Sequence, residues 1–143
     1  MAKLFVVALA ARLPRWASEA RDAYLGRMPR GFEVRCLELK AEPLKRVRTR
    51  LPQGTRLIAL DERGRDFTSA QFAAALQGWR SEGDPVAFVV GGPDGLDAEF
   101  GRAAGLLLRL SPFTLPHALA QVLLCEQLYR AASILTGHPY HRE

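Results

Sequence analysis

Residues 85–95 read Pro-Val-Ala-Phe-Val-Val-Gly-Gly-Pro-Asp-Gly, an apolar run followed at once by a glycine-rich turn. A short and continuously apolar run is typical of a strand that is buried on both faces, as in a parallel sheet. Open α/β sheets bind their ligands at the carboxyl ends of such strands. The stretch therefore predicts a buried strand over residues 85–90 and a candidate ligand site in the turn that follows it.

Strands and helices are predicted in alternation along the rest of the chain. Residues 3–10 form another apolar run, whose length favours a first strand over a signal peptide. The absence of linkers and internal repeats indicates one domain over residues 1–143, an α/β fold with a mostly parallel sheet flanked by helices. Further strands are predicted at 32–40, 56–60 and 106–110, and helices at 14–28, 68–82, 96–104 and 117–136.

Two helices carry informative apolar patterns. In the first helix, a stripe with spacings of three and four residues is predicted to face the core, namely Trp16, Ala20, Ala23, Tyr24 and Met28. The last helix, residues 117–136, is apolar around most of its circumference, which predicts burial on more than one side. In so small a domain, the expected second partner of this helix is another copy of the chain, so a homodimer is predicted.

The composition is that of an ordinary globular protein. Of the 143 residues, 48% are hydrophobic and 24% are charged, which excludes disordered and fibrous classes. No apolar run approaches the roughly 20 residues that span a bilayer, so no membrane association is expected. Cys36 and Cys125 form no CxxC pair, a usage that favours a reducing cytoplasm.

Positive charge is concentrated in the first part of the chain. Residues 1–56 hold thirteen Lys or Arg and five Asp or Glu, whereas residues 57–143 carry a net charge of −3. Such segregation favours a partner with a phosphate backbone over a merely solvated, arginine-rich surface. Residues 42–53 are either a solvated loop or an arm that faces RNA, with Lys45, Arg46, Arg48 and Arg50 as its candidate contacts.

Two turns are candidate ligand contacts. The turn after Val90 is neither the GxGxxG fingerprint nor a phosphate loop, and Pro93 lacks an amide donor. It suits either a small ligand held by backbone contacts or a plain tight turn. Residues 60–64, Leu-Asp-Glu-Arg-Gly, follow the third strand and are favoured as a solvated turn with an arginine–carboxylate contact.

The last six residues, His-Pro-Tyr-His-Arg-Glu, group several chemically active side chains. Tyr140 and the histidines could stack on unpaired bases, and Arg142 could hold a phosphate or a developing oxyanion. A metal site is not expected, because the two histidines have no third ligand nearby. Hydrolysis by a serine triad is not expected either, since no G-x-S-x-G motif is present.

Taken in order, four motifs resemble the ribosomal RNA large subunit methyltransferase H family. They are Val-Val-Gly-Gly-Pro-Asp-Gly-Leu at 89–96, Leu-Ser-Pro-Phe-Thr-Leu-Pro-His at 110–117, Leu-Tyr-Arg-Ala at 128–131 and the tail at 138–143. The resemblance runs from end to end and implies a SPOUT fold with a C-terminal deep trefoil knot. It also implies a homodimer that uses S-adenosyl-L-methionine to methylate N3 of a pseudouridine, position 1915 of 23S ribosomal RNA, and favours the assembled ribosome as substrate.

The resemblance also implies roles for particular residues. The tail would cover the cofactor and complete the active site, with His138, Tyr140, His141 and Arg142 as the catalytic group. Arg142 would stabilise the anion formed at the base, while His138, His141 or water would accept the proton. Between residues 40 and 57 the chain is shorter than typical members, which affects how RNA is gripped. The implied cofactor contacts are Leu60, Gly91, Leu110, Ser111, Pro112, Phe113, Thr114 and Leu115.

Two other functions remain open from the residues alone. The basic half by itself would suit a non-catalytic module that binds RNA or the ribosome. The turn at Gly91 by itself would suit an α/β enzyme acting on a small molecule. The first has no affinity for S-adenosyl-L-methionine, and the second has no dependence on RNA.

Overall fold

Five strands of the chain form a single parallel sheet. The structure is a computed structural model that describes residues 3–10 and 12–142. Its strands are β1 (Leu4–Leu9), β2 (Val34–Glu38), β3 (Arg56–Asp66), β4 (Val86–Gly91) and β5 (Leu106–Arg109). They lie in the order β2-β1-β4-β3-β5, and every pairing is parallel. The predicted parallel α/β sheet is confirmed, and the alternation of elements along the chain is as expected.

Two of the helices begin or end at local signals that the sequence shows. They are α1 (Arg15–Leu25), α2 (Leu44–Thr49), α3 (Ser69–Glu82), α4 (Ala98–Ala103) and α5 (His117–Thr136), followed by a 3₁₀ turn, Pro139–Arg142. Thr68 and Gln71 form the predicted capping box at the start of α3. Gly137, with a φ of +75°, ends α5 in the left-handed conformation that favours glycine. No helix in the described ranges is both long and apolar enough to cross a membrane.

The helices cover the sheet in two layers. One hydrophobic cluster joins α3 and α5 to one face of the sheet, with Phe72, Phe88 and Leu124 among its buried members. A second cluster joins α2 and α4 to the opposite face, through Val47 and Phe100. The sheet therefore separates α2 from α5, which fixes the sides of the molecule on which their functional residues lie.

The segment at 42–53 is not a loop, as one interpretation of the sequence had it. Leu44, Val47 and Leu51 are buried at spacings of three and four residues, and α2 forms over the first two of them. Burial of one apolar stripe stabilises even this short helix against the sheet. The charged residues of α2 are consequently directed to solvent.

The predicted core face of α1 is wrong at Trp16 and Ala23, which are both exposed, and Met28 lies beyond the end of the helix at Leu25. Trp16 is 54% exposed, and the buried positions of α1 are Ala17 and Arg21. Ala17 packs with Ala118 of α5, and a small residue at that contact lets the two helices approach closely. Because successive helical residues are about 100° apart, the face centred on Ala17 turns Trp16 towards solvent.

Arg21 is a charged residue on the buried face of α1. Its guanidinium donates to Asp22 at 2.9 Å and to Gln121 at 3.3 Å, and it lies 3.5 Å from the Glu38 carboxylate. These partners compensate the burial of the charge, which unpaired would be costly.

Helix α5 is covered largely within a single chain. It packs against α1, α3 and β4, and ten of its twenty residues are buried. Leu119, Leu123 and Ile134 remain only partly buried. Most of the apolar surface of α5, which led to the prediction of a homodimer, is therefore buried within its own chain. Only a narrower apolar stripe is left for a dimer contact.

Candidate active site

Three neighbouring strands end together at one edge of the sheet, here called the carboxyl edge. In the order β4-β3-β5, Ala59 pairs with Val89 and Leu60 pairs with Leu108. The parallel arrangement therefore brings Leu60, Gly91 and the start of the loop at 110–116 to the same edge. The convergence that the sequence predicted is present.

The turn after β4 is closed by its own backbone. The amide of Gly95 donates to the carbonyl of Gly92 at 2.9 Å, and Gly95 has a φ of +76°. A Cβ added at Gly91 would lie 2.6 Å from the carbonyl carbon of Gly95. Gly91 is thus required by its own turn, whereas the sequence had suggested that its missing side chain leaves room for a ligand.

Residues 61–64 are part of β3 and form an excursion between two pairings with β5. Leu108 pairs both with Leu60 and with Arg65, so the four intervening residues leave the ladder. A Cβ at Gly64 would lie 2.7 Å from the Leu107 backbone, which shows how closely this excursion passes β5. The expectation of a turn is corrected to an irregular strand.

The favoured arginine–carboxylate contact in this segment is confirmed. The Arg63 side chain donates to Asp61 at 3.1 and 3.0 Å, and the Arg63 amide donates to it at 2.8 Å. These hydrogen bonds lower the pKa of the Asp61 carboxyl, and those from the Arg63 side chain have the largest effect. Asp61 is therefore ionised at neutral pH and already engaged by its neighbour.

The loop between β5 and α5 is exposed over its middle. Pro112, Phe113 and Thr114 are exposed, while Leu110 and Leu115 are partly buried. The Phe113 amide donates to the Ser111 hydroxyl at 2.9 Å, which fixes the local turn. The Phe113 ring is 83% exposed, so it does not line an apolar pocket in this structure.

Two cavities adjoin the ends of β3 and β5, one on each face of the sheet. The first has a volume of about 180 Å³ and lies between β5, α3 and α5, with Leu110 and Gln127 in its wall. The second, of about 330 Å³, lies between β3 and α4 and is lined by Asp61, Leu96 and Leu107. The second volume falls at the lower end of the range for small-molecule sites. Of the eight predicted cofactor residues, Leu110 alone lines either of these two cavities.

The C-terminal tail is docked on α5. The Tyr140 hydroxyl donates to the Glu126 carboxylate at 2.8 Å, and its ring centroid lies 4.6 Å from that of Tyr129. Burial, followed by the hydrogen bond to Glu126, raises the pKa of Tyr140. Tyr140 is therefore neutral at physiological pH and acts as a hydrogen-bond donor.

The two tail histidines differ in their contacts. The Nδ1 atom of His138 accepts a hydrogen bond from the Tyr140 amide at 3.2 Å. The Nδ1 atom of His141 is buried and has no hydrogen-bond partner within the described ranges. Arg142 is exposed, and Glu143 lies outside the described residues.

The structure groups the predicted catalytic residues but does not place them over the predicted cofactor residues of the same chain. The contacts described for the tail run to α5, at Glu126, Tyr129 and Ser133, and to Tyr24 of α1. The predicted cofactor loop lies before the first residue of α5, and Glu126 lies about 13 Å along the helix axis from His117.

The basic residues of α2 lie on the face of the sheet opposite to the tail. Lys45, Arg46, Arg48 and Arg50 are all exposed, and Arg50 is 4.0 Å from Glu42. An exposed ion pair at that distance contributes little, so the cluster remains available to phosphates.

Sequence reasoning missed Trp16 as a surface residue at the carboxyl edge. Its position in the first turn after β1 was a usable signal, because loops and helix starts at that edge face the ligand. The spacing of apolar residues concealed it, since tryptophan fits either face of a short amphipathic pattern.

Comparison with known proteins defines the class to which this fold and edge belong. A family model described as "Predicted SPOUT methyltransferase" matches residues 2–141. A solved structure, that of the A. aeolicus TrmH/SpoU tRNA modifying enzyme, superposes with a TM-score of 0.54 at 11% identity. The superposition covers 94% of this chain and 77% of the A. aeolicus chain, and at this identity it supports the fold alone. The class is that of the SPOUT methyltransferases.

Curated relatives narrow the class to a family. The ribosomal RNA large subunit methyltransferase H of Delftia acidovorans is 47% identical, with 99% of each chain covered. The protein of the same name from Burkholderia cenocepacia is 46% identical, with 98% of this chain and 99% of the relative covered. The chain belongs to the ribosomal RNA large subunit methyltransferase H family, as the four sequence motifs predicted. The alignment with the Delftia protein spans 154 positions, so that relative carries residues which this 143-residue chain lacks.

Proposed function

We propose that the chain transfers a methyl group from S-adenosyl-L-methionine to N3 of a pseudouridine, position 1915 of 23S ribosomal RNA. The observation that carries the proposal is the family membership over essentially the whole chain, joined to the convergence of β3, β4 and β5 at one edge. Ribosomal RNA as substrate would require the protein to act in the cytoplasm, and the free Cys36 and Cys125 are compatible with that compartment.

The carboxyl edge suits a cofactor held mainly by backbone groups. Gly91 and Gly92 carry no side chains, and the turn they begin leads to Leu96, which lines the cavity between β3 and α4 together with Ala59 and Leu107. Asp61, Arg63, Asp97 and Arg102 also line this cavity, so it joins an apolar wall to several charged groups that could orient a small molecule. Leu60, Gly91 and residues 110–115 would hold the cofactor, and a deep trefoil knot there agrees with the family but remains a prediction.

S-adenosyl-L-methionine supplies an already activated methyl group, so the chain's own residues mainly have to align the attacking nitrogen. N3 of pseudouridine must lose a proton, and the resulting negative charge spreads to the neighbouring carbonyl oxygens. The exposed guanidinium of Arg142 can stabilise that charge. Tyr140, being neutral and bound to Glu126, orders the tail and is not the proton acceptor.

The contacts favour His141 over His138 as an imidazole base. Because His138 Nδ1 already accepts a hydrogen bond, its neutral form carries the proton on Nε2 and has no second acceptor to offer. His141 Nδ1 is unpartnered within the described part of the tail. That nitrogen is buried in the docked tail, so it reaches a substrate only when the tail moves away from α5. Water remains the alternative acceptor.

Calorimetry with S-adenosyl-L-methionine, followed by methyl transfer to free ribosomal RNA, large subunits and assembled ribosomes, tests the proposal. We expect cofactor binding without RNA, and methylation of N3 that is best with assembled ribosomes. Lack of any cofactor affinity would indicate a non-catalytic RNA-binding module. Turnover of a small molecule without RNA would indicate the other alternative.

The basic residues of α2 should contribute to RNA affinity and little to the chemical step. Replacing Arg46 or Arg48 with alanine should weaken RNA binding and lower the slope of log K against log salt by about one for each phosphate that is no longer neutralised. Single-turnover rates at saturating ribosomes should stay close to the parental value. Arg27→Ala, which replaces an exposed arginine outside α2, is the matched control. An equal loss of RNA affinity in that variant would show that the arginines of α2 have no special role.

A homodimer through α5 is the predicted assembly. Sedimentation should report a dimer at micromolar concentration, because the partly buried Leu119 and Leu123 gain cover from a second copy. Leu119→Glu should shift the chain towards the monomer, and Gln77→Glu on the exposed side of α3 should not. A monomer with full methylation activity would contradict this assembly.

A further inference from the structure

Two large hydrophobic residues are exposed, and both lie at the carboxyl edge. Among the described residues, these are Trp16, 54% exposed, and Phe113, 83% exposed. Trp16 lies in the first turn of α1, directly after the carboxyl end of β1, and Phe113 lies in the loop between β5 and α5. A single exposed apolar residue is ordinary, so the informative observation is that both of these aromatic residues lie at the same end of the fold.

The packing of α1 against α5 brings these two segments to the same end of the helical layer. Leu13 and Ala17 form a small buried cluster with Ala118 and Val122, so the first turns of the two helices are neighbours. Trp16 directly precedes Ala17, and Phe113 is four residues before the start of α5. Both aromatic residues therefore flank the edge where the strands of the candidate cofactor site end.

Arginine accompanies the tryptophan. Arg12 and Arg15 are exposed on either side of the turn that leads into α1. Arg15 is 2.9 Å from Glu19, but the side chains of this pair are 92% and 66% exposed, and such pairs are weak. Both guanidinium groups are therefore available to phosphate oxygens.

Aromatic rings beside arginines are the combination that single-stranded nucleic acid recognises, with bases on the rings and phosphates on the guanidinium groups. A second copy of the chain fits less well. A two-fold interface centred on this patch would set Arg12 and Arg15 against the same cations of the partner, which is unfavourable.

We propose that Trp16 and Phe113 form a stacking platform for unpaired bases of single-stranded RNA, next to the nucleotide that is presented at the carboxyl edge. The inference rests on the proposed function, because it names residues that position the RNA of the same reaction. Arg12 and Arg15 hold the neighbouring phosphates. The platform lies on the helical layer that contains α5, so it is distinct from the basic surface of α2 across the sheet.

Fluorescence can isolate Trp16, because the chain has only two tryptophans and the other, Trp79, packs against Phe72 and Phe88. In a Trp79→Phe variant, a pyrimidine-rich single-stranded RNA oligonucleotide should quench the emission in a saturable manner, and a duplex of equal length should not. Anisotropy of the labelled oligonucleotide, in the otherwise unaltered chain, should show a loss of affinity of about tenfold or more for Trp16→Ala. Trp16→Phe should recover most of that affinity.

Phe113→Ala should reduce affinity in the same direction, whereas Arg15→Ala should also lower the salt dependence. Unchanged affinity of Trp16→Ala for the oligonucleotide would overturn the inference. A different pair of results would also overturn it: tryptophan emission that changes with protein concentration but not with RNA, and a Trp16→Ala variant that is monomeric. Those results would assign the patch to contact with a second copy of the chain. Methyl transfer to ribosomes by the unaltered chain separates the two levels. If methyl transfer occurs but substitution of Trp16 does not change RNA affinity, the stacking platform is wrong and the proposed function stands. If methyl transfer does not occur, the proposed function itself fails.

Discussion

Replacing Arg142 with alanine should lower single-turnover methyl transfer by roughly two to three decades. A guanidinium that stabilises a developing anion is commonly worth a few kcal/mol, and each 1.36 kcal/mol is about tenfold in rate. Arg142 is exposed in this structure, so its loss should leave folding unchanged. The measurement is methylation of ribosomes with enzyme and cofactor in excess, beside a thermal unfolding curve.

Arg35→Ala is the control for this prediction, since it removes an exposed arginine from the edge strand β2, whereas the described contacts of the tail run to α5 and α1. Deletion of residues 140–143 should abolish transfer as well, but it is less clean than the point substitution. Tyr140 packs on Tyr129 and donates to Glu126, so the deletion should also cost some stability, although the chain should still fold because no core residue is removed. A parental rate in Arg142→Ala would remove the tail from the active site.

Replacing Gly91 with valine should abolish cofactor binding and lower the free energy of unfolding by about 1–3 kcal/mol or more. The first Cβ atom would already lie 2.6 and 2.7 Å from the Gly95 carbonyl group, so the turn has to open. Binding is then lost because the carboxyl edge changes shape. Calorimetry with S-adenosyl-L-methionine and denaturant unfolding measure the two effects separately.

Gly78→Ala is the matched control, because a Cβ there meets nothing within 4 Å. Gly78 lies inside α3, where alanine is the better helix former, so this variant should be as stable as the parent or more stable. Unaltered cofactor affinity in Gly91→Val would show that the turn after β4 is not part of the site.

The sequence by itself determined the parallel sheet, the capping box of α3, the bounds of α5 and the family. The first three depend on local chemistry: continuous apolar runs, the spacing of Thr68 and Gln71, and a glycine after the last turn of a helix. The family was recognised from the four motifs that resemble it. The ends of β4 and β5 were predicted to within one residue, whereas β3 continues to Asp66 instead of ending at residue 60, because its last residues pair again with β5.

Tertiary structure alone decided which face of a helix is buried and what surrounds each functional side chain. Apolar spacing in α1 suited Trp16 as well as Ala17, and the close approach of α1 to α5 selected the smaller residue. Gly91 must be glycine because the backbone of Gly95 folds against it, and Tyr140 is held because Glu126 lies beside it in the folded chain. Neither contact can be predicted from local sequence. The spacing of apolar residues identifies an element as a helix or a strand. The neighbours that this element packs against are defined only once the chain has folded.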